Sequence, residues 1–281
     1  MNLDHLRALA AAVDTGSFEA AAAALHLTPS AVSQRIKALE GSAGQVLVRR
    51  SKPTTVTAAG EAYLRLARQV TALVSDAGLA ESTSVSLPLA MSSDALATWV
   101  LPALAGVGGD IVFDLQREDQ DHSAELLRAG SVMAAITTDD RPVQGCTVTA
   151  LGTMRYRPMA TREFVQRWFP DGVTTAALAA APVVVFDRKD QLQDRYLRSR
   201  SGARLDPPRH YIPGSQDFVA AVQLGLGWGM VPDQQATPAI VEFDEAHHVD
   251  VELYWQQWSL RTAALDAVAA AVIQAARVAL G

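Results

Sequence analysis

Hydroxyl and carboxylate side chains recur where predicted strands end, in the part of the chain after residue 85. They are Ser92, Ser93, Asp94, Glu118, Asp119 and Thr137. In open α/β sheets the ligand crevice lies at the carboxyl ends of the strands, and carboxylates that converge there repel unless a cation lies among them. The pattern therefore predicts a site for a small cation. The alternative, solvated loop charges, applies most to the neighbouring Asp139 and Asp140.

Three other groups of residues could suggest chemistry, and the sequence argues against each. The glycine-rich run 225–229 follows a predicted helix and precedes an apolar run, whereas a dinucleotide-binding loop follows a strand and opens a helix. His247 and His248 are adjacent, so on a strand they point to opposite faces and are poorly placed to share a metal ion. Cys146 is the single cysteine and has no base beside it in sequence. We therefore predict that the chain is not an enzyme and holds no cofactor or metal.

A second set of polar side chains lies on one predicted helix near residue 30. Thr28 before Pro29 is typical of a helix start, with an N-cap followed by proline at the first helical position. Apolar residues at 32, 36 and 39 then form a stripe that must pack against other helices. The other positions carry the hydroxyl, amide and cationic groups that reach base edges and phosphates in DNA: Ser30, Ser33, Gln34, Arg35 and Lys37.

The elements around this helix are those of a winged helix-turn-helix. A helix is predicted over 2–14, and a short Ala-rich helix capped by Ser17 joins the polar helix through a tight turn at 26–27. Two short strand-like runs within 46–57 predict a wing, whose Arg49, Arg50 and Lys52 we expect to contact phosphate. The alternative is an ordinary amphipathic helix with a solvated polar face.

The charge distribution supports a contact with DNA at one end of the chain. The formal net charge is −6 over 281 residues. Residues 28–68 nevertheless contain seven Lys and Arg against two Glu, a net charge of +5. A basic segment on an acidic body suits a protein that touches DNA through that segment only.

A second long helix is predicted from its N-cap Thr57 to about Leu79. Its apolar positions, among them Leu66 and Leu73, exceed what a small domain can cover, so pairing with a second copy would bury them. The alternative is a helix packed on its own domain. Residues 81–84 have the composition of a hinge.

Beyond residue 85, strands alternate with helices, which predicts a largely parallel α/β sheet. Strands are predicted over 85–91, 110–117, 132–137, 151–160, 182–186, 210–212 and 249–258. Helices are predicted over 94–104, 123–129, 162–168, 191–198, 216–224 and 265–280. The second series of elements leaves the first near residue 160 and returns near residue 249, so the chain crosses twice between two α/β lobes.

The N-terminal motifs carry a specific resemblance. GSFEAAAAALHLTPSAVSQRIKALE, from residue 16, and VLVRR with TAAGEAYL resemble the winged helix-turn-helix of LysR-type transcriptional regulators. Further along, ATWVLPAL, EDQDHSAELLRAG, FVQRWFPDGV and LYWQQW resemble the basic-amino-acid-responsive branch of that family, called ArgP or LysG. The resemblance covers essentially the whole chain.

The resemblance implies a domain organisation. It implies a DNA-binding domain over 1–58, a dimerising linker helix and hinge over 59–84, and a periplasmic-binding-protein-like effector domain over 85–281. Within that domain we expect one lobe over 85–159 and 250–281 and a second over 160–249. The alternative is an α/β solute-binding or enzymatic domain fused to a helical interaction domain.

The resemblance also implies partners. We expect double-stranded promoter DNA, a second copy of the chain in a homodimer or homotetramer, and lysine or arginine as effector, with an amino-acid exporter gene as target. RNA polymerase is a further candidate partner. For the effector carboxylate, Ser92 and Ser93 or else Ser215 offer hydroxyls and free N–H groups, and the sequence does not choose between them. Its ammonium groups would lie near Asp94, Glu118 and Asp119, with Thr137 beside them.

Composition is consistent with a folded protein of the cytosol. Hydrophobic residues make up 49% of the chain and charged residues 19%, enough to bury sizeable cores. One cysteine cannot form an internal disulfide. We expect a cytoplasmic protein, since the sequence shows neither a signal-peptide pattern nor an apolar stretch of membrane-spanning length.

Overall fold

The computed structural model of the chain describes residues 2–79, 85–117 and 123–281. Glu118 and Asp119, two of the predicted effector ligands, lie outside the described residues, and so does the predicted hinge at 81–84. The chain forms two compact units. Unit 1 comprises Met1–Met91, Val107–Thr149 and Trp255–Ala270, and unit 2 comprises Ser92–Gly106, Ala150–Tyr254 and Ala271–Gly281.

The helices and strands follow in chain order. Up to residue 91 they are α1 (Leu3–Asp14), α2 (Phe18–Ala24), α3 (Pro29–Ala43), β1 (Val48–Arg49), β2 (Thr55–Val56), α4 (Ala58–Asp76) and β3 (Val85–Met91). They continue with α5 (Ser93–Ala95), a π-helical turn (Leu96–Val100), α6 (Leu101–Ala105), β4 (Ile111–Arg117), α7 (Ser123–Arg128), β5 (Ala134–Thr137), β6 (Cys146–Ala160) and α8 (Arg162–Trp168). The last are α9 (Thr175–Ala180), β7 (Val183–Val185), α10 (Leu192–Ser201), β8 (Arg209–Tyr211), α11 (Ser215–Gln223), β9 (Gly229–Pro232), a 3-10 turn (Asp233–Gln235), β10 (Val241–Glu242), β11 (Val249–Trp258) and α12 (Ala263–Ala279).

The first 60 residues form the predicted winged helix-turn-helix. Ser17, Thr28 and Thr57 each cap a helix through a side-chain oxygen that accepts a backbone N–H two or three residues into it. The apolar stripe of α3 is fully buried, and α3 packs against α1 and α2. The wing is the antiparallel pair β1–β2, with Val48 opposite Val56. Gly60 has no room for a side chain, because a Cβ there would lie 2.0 Å from the Leu47 carbonyl oxygen.

In unit 1, the strands β3, β4 and β5 are parallel, as predicted. β3 pairs with β4 along its whole length, from Val85 opposite Ile111 to Met91 opposite Arg117. On its other side β3 pairs with β5. The side chains of β5 are buried throughout, which is typical of a central strand in a parallel sheet.

Unit 2 departs from the predicted parallel arrangement. Here β6 pairs antiparallel with both β9 and β10, whereas the short pair β7–β8 is parallel. β6 also begins at Cys146, five residues before the predicted start, since its first residues are largely exposed and lack the apolar signal of a strand. Helix α9, an Ala-rich helix of six residues capped by Thr174, is not predicted from the sequence because it is too short to show helical periodicity.

No helix among the described residues is long and apolar enough to cross a membrane.

Candidate functional site

Helix α3 presents an exposed polar face. Ser30, Gln34 and Lys37 are exposed at successive turns, the spacing that places side chains on one side of a helix. Thr28 and Pro29 build the start of this helix, where the Thr28 hydroxyl accepts the Ala31 N–H at 3.2 Å. The N-terminal end of α3 is therefore polar, and this is the end of the helix that a helix-turn-helix presents to base edges.

Two other predicted DNA-binding residues of α3 are half-buried and have partners. Arg35 lies 3.8 Å from the Asp4 carboxylate on α1. Ser33 lies under the wing, where its hydroxyl oxygen accepts a hydrogen bond from Arg50 at 3.4 Å. The exposed Gln34 is therefore freer than Arg35 to reach a base.

Gln34 leads to the first prediction. Replacing it by alanine should relax base preference at one position of each half-site and cost about 1–3 kcal/mol there, because a bidentate amide contact to adenine is lost. In vitro selection from random duplexes, read as base frequencies, measures the change. Lys37→Ala is the matched control, since it should weaken all duplexes alike. Unchanged base frequencies in the Gln34 variant would mean that another residue reads the groove.

The wing carries three exposed cations, Arg49, Arg50 and Lys52. The Arg50 guanidinium lies 5.0 Å from the centre of the Phe18 ring at the start of α2. Between the wing, α2 and α3 is a hollow of about 320 Å³ whose lining includes Ser33, Arg50, Lys52 and one acid, Glu19. Cations and hydroxyls around a hollow beside an exposed recognition helix are suited to phosphate.

In unit 2, Asp94 is the centre of a cluster of oxygen atoms. Its two carboxylate oxygens accept hydrogen bonds from the Tyr156 hydroxyl at 2.8 Å and the Ser215 hydroxyl at 2.6 Å. The Ser215 oxygen is also 3.1 Å from Gln235 Oε1, so one hydroxyl proton faces two acceptors. Among the described residues, no cationic side chain forms an ion pair with Asp94.

Burial controls the protonation of this cluster. Burial of the Asp94 carboxyl raises its pKa above the ordinary 3.8, although the bonds from Ser215 and Tyr156 oppose the shift. Burial likewise raises the pKa of Asp190, which accepts the backbone N–H groups of Phe186 and Leu192 at 3.2 and 2.9 Å. Asp94 adds to that rise through charge repulsion. A cation that binds beside these two acids would lower their pKa values, opposing the rise that burial causes.

The structure brings some of the predicted effector residues together. Ser215 donates a hydrogen bond directly to Asp94, and both residues belong to unit 2. Ser92 and Ser93 also belong to unit 2, where the Ser92 hydroxyl caps α5 by accepting the Ala95 N–H at 3.2 Å. Thr137 belongs to unit 1, is 1% exposed, and accepts the Asp139 N–H at 3.0 Å.

Sequence reasoning missed Tyr156, Gln235 and Asp190. Tyr156 is an inward residue of β6, and its alternation along the strand was visible, but nothing local indicated that its hydroxyl faces Asp94. Gln235 lies in a 3-10 turn, and Asp190 precedes α10 in a loop. Their position near Asp94 depends on the tertiary fold, which no local sequence pattern indicates.

The structure also places the glycine-rich run and the two adjacent histidines. The run 225–229 is the turn between α11 and β9, as predicted, and a Cβ on Gly227 would lie 2.8 Å from the Pro182 carbonyl oxygen. His247 pairs with Asp244 and His248 with Asp250. Within the described ranges, no three His, Cys, Asp or Glu side chains are grouped for a metal ion.

Two family models together match almost the whole chain. Residues 3–61 match the bacterial regulatory helix-turn-helix protein, lysR family, and residues 80–277 match the LysR substrate binding domain.

Named relatives and solved structures point the same way. The lysine export transcriptional regulatory protein LysG of Corynebacterium efficiens is 43% identical, over 100% of this chain and 99% of that protein. The crystal structure of ArgP from Mycobacterium tuberculosis has a TM-score of 0.85 and 46% identity, covering 97% of this chain and 96% of that one. Full-length LysG from Corynebacterium glutamicum, solved with the effector Arg bound, has a TM-score of 0.77 and 37% identity, covering 100% and 99%.

Proposed function

Because the chain belongs to the LysR family of bacterial transcriptional regulators, we propose that it controls transcription in response to a basic amino acid. It is a regulator and not an enzyme, like the relatives it matches. Its N-terminal winged helix-turn-helix and its mixed α/β substrate-binding domain are those of the family.

For DNA, the proposed interface is the exposed face of α3 together with the wing. Thr28, Pro29, Ser30, Ser33, Gln34, Arg35 and Lys37 would approach base edges and nearby phosphates, and Arg49, Arg50 and Lys52 the phosphates beyond. The proposed domain boundaries are 1–58, 59–84 and 85–281, with lobes 85–159 plus 250–281 and 160–249. The compact units divide the chain at other points, since they join the DNA-binding helices to the strands around β3.

The observation that carries the effector proposal is the Asp94 cluster. Among the described residues, the side-chain hydrogen bonds to the Asp94 carboxylate come from two neutral hydroxyls. Together with the Gln235 amide oxygen and the charge of Asp190, which interacts with that of Asp94, this carboxylate offers acceptors to an ammonium or guanidinium group. Ser92 and Ser93, or else Ser215, would supply hydroxyls for the α-carboxylate of the ligand, and Thr137 is a further proposed ligand. The names of the relatives, lysine export for one and bound Arg for another, support lysine or arginine.

The experiment that tests the function combines two measurements on the full chain. A thermal-shift screen of the twenty amino acids identifies stabilising ligands, and DNA titration at two salt concentrations follows with each one. We expect lysine and arginine to stabilise the protein and change its DNA affinity, and DNA binding to weaken at high salt. Stabilisation by neutral or acidic amino acids alone would overturn the effector class. Salt-independent DNA binding would overturn the proposed interface.

The proposed target is a basic amino-acid exporter gene. A regulator that binds lysine or arginine and controls the gene for their export would couple export to the concentration of these amino acids. Transcription in vitro from the exporter promoter, with and without the amino acid and with purified RNA polymerase, tests both the gene and the polymerase as partner.

Dimerisation through α4 gives a second prediction. Leu73 is 46% exposed near the end of this helix, and a second copy would cover it. Leu73→Asp should therefore shift the protein towards monomers and weaken operator binding by about tenfold or more, since two half-sites are no longer held together. Thr71→Asp, exposed on the opposite side of α4, is the matched control. Sedimentation velocity measures the change, and equal sedimentation of both variants would contradict the prediction.

A further inference from the structure

Helix α4 has a polar face that docks on the substrate-binding part of unit 1, by which we mean the segments Val107–Thr149 and Trp255–Ala270 together with β3. The face consists of Arg65, Arg68, Ala72 and Asp76, whose spacing of three or four residues places them on one side of the helix. The neighbouring side of α4, with Leu64 and Ala67, is buried in the core of the DNA-binding domain. One helix therefore touches both functional parts of the chain.

Three polar side chains of this face make the docking contacts. Arg65 donates to the Gln144 carbonyl oxygen at 2.6 Å, and its guanidinium lies 5.9 Å from the ring centre of Trp258. Arg68 donates to the Gly130 carbonyl oxygen at 2.5 Å. Asp76, eleven positions beyond Arg65, accepts the N–H of Ala263 at the start of α12, at 2.7 Å. The contacts extend along most of the helix.

Arg68 joins the two parts directly. The same guanidinium that bonds to Gly130 also pairs with Asp14 at the end of α1. Only 9% of the Arg68 side chain is exposed, so undocking would return a buried cation to water while Asp14 stays with the helix-turn-helix. A buried arginine with partners on both sides fixes their relative orientation.

Two glycines make the close approach possible. Gly130 has a φ of +73°, and a Cβ there would lie 2.7 Å from the Cβ of Arg65 and 2.8 Å from its Cα. Gly145 has a φ of +77°, and its Cβ would lie 2.8 Å from Arg65 Nη2. Any side chain at 130 would push α4 away.

We propose that this face of α4 is the surface through which the substrate-binding part controls the helix-turn-helix. When docked, it holds α4, and with it α1 and α3, in one orientation. A ligand that changes the population of the docked state would then change the spacing of the recognition helices in a dimer. The link to a ligand rests on the proposed function, whereas the docking does not.

The single cysteine of the chain allows docking to be measured without introducing a probe residue. Cys146 is half-buried, and Arg65 Nη2 lies 3.8 Å from its sulfur, so the docked helix covers the thiol. Its alkylation by N-ethylmaleimide reports how often α4 leaves. The test variant is Gly130→Ala. The matched control is Gly109→Ala, which has the same positive-φ strain (φ +89°) but open space around its Cβ.

We expect Gly130→Ala to speed alkylation about threefold or more and Gly109→Ala to leave it near the wild-type rate. In the Gly130 variant, calorimetry should show arginine or lysine affinity retained, while the ligand no longer changes affinity for a selected DNA duplex. Equal alkylation of both variants would overturn the docking. If alkylation is faster but the ligand still changes DNA affinity, the proposal that docking controls the helix-turn-helix is overturned.

A second variant tests the docking independently, in case Gly130→Ala does not fold. Asp76→Ala removes the contact with Ala263 far from both the thiol and Gly130, and should raise alkylation in the same direction, whereas Asp76→Asn keeps an acceptor oxygen and should not. If neither amino acid binds the wild type, the effector assignment fails. Alkylation then still decides whether α4 is docked.

Discussion

Asp94→Asn is expected to remove the response to lysine and arginine and leave DNA binding of the ligand-free protein unchanged. The substitution keeps the shape of the side chain, and its carboxamide can accept a bond from one of the two hydroxyls, Tyr156 or Ser215, and donate to the other, but it removes the charge that an ammonium group would meet. A charge-assisted hydrogen bond contributes about 1.5–3 kcal/mol, so amino-acid affinity should fall roughly ten- to a hundredfold. Isothermal calorimetry gives the affinity, and DNA titration gives the response.

Glu163→Gln is the matched control for this substitution. Glu163 is exposed on α8 in the same unit, so the variant has the same change of net charge without touching the cluster. It should bind lysine and arginine like the wild type. Undiminished affinity in Asp94→Asn would show that the ligand binds elsewhere, whatever the control does.

The same site predicts a pH dependence with a defined sign. Since burial raises the pKa of Asp94, the folded protein keeps this proton to a higher pH than the unfolded chain. The contribution of Asp94 to stability is therefore present below its ordinary pKa and is lost as pH rises through the raised value. A cationic ligand prefers the ionised carboxylate, so its affinity should rise with pH in that window and binding should release protons. Calorimetry in two buffers of different ionisation enthalpy measures the release, and Asp94→Asn should abolish that part of it.

Local rules in the sequence account for the DNA-binding elements. Ser17, Thr28 and Thr57 were predicted as N-caps, and each hydroxyl accepts the expected backbone N–H. A cap, a proline at the first helical turn and an apolar stripe all act within a few residues of one another. Nothing distant has to be known to place α3 and its polar face.

The effector cluster could be predicted only in part, because its contacts are distant in sequence. Asp94 and Ser215 were both identified from the ends of elements, yet they are 121 residues apart and their direct bond depends on how unit 2 folds. The antiparallel pairing of β6 with β9 places Tyr156 opposite Pro232, and no local pattern indicates that pairing. For the same reason, nothing in α4 alone predicts that Arg65 and Arg68 meet carbonyl oxygens beyond residue 129.

Neutralising the wing by replacing Arg49, Arg50 and Lys52 with glutamine is expected to have the largest effect on DNA binding. If each cation meets one phosphate, the slope of log affinity against log salt should become shallower by about 2.7 per subunit, at 0.9 per contact. Affinity at physiological salt should fall roughly a hundred- to a thousandfold for the same reason. Specific and non-specific duplexes should weaken nearly alike, because phosphates carry no sequence information.

The arrangement of Arg50 sharpens this expectation. Its guanidinium is held over Phe18 and against Ser33 of α3, so Arg50→Gln alone should lose less of the salt slope than Arg49→Gln if that contact persists on DNA. The matched control replaces Arg162, Arg198 and Arg204, three exposed cations of unit 2, by glutamine. It makes the same change of net charge away from the wing and should leave the slope near the wild-type value. Fluorescence anisotropy with one selected and one scrambled duplex, at four salt concentrations, gives every slope. A wing variant whose slope matches that of the control would place β1 and β2 away from the DNA.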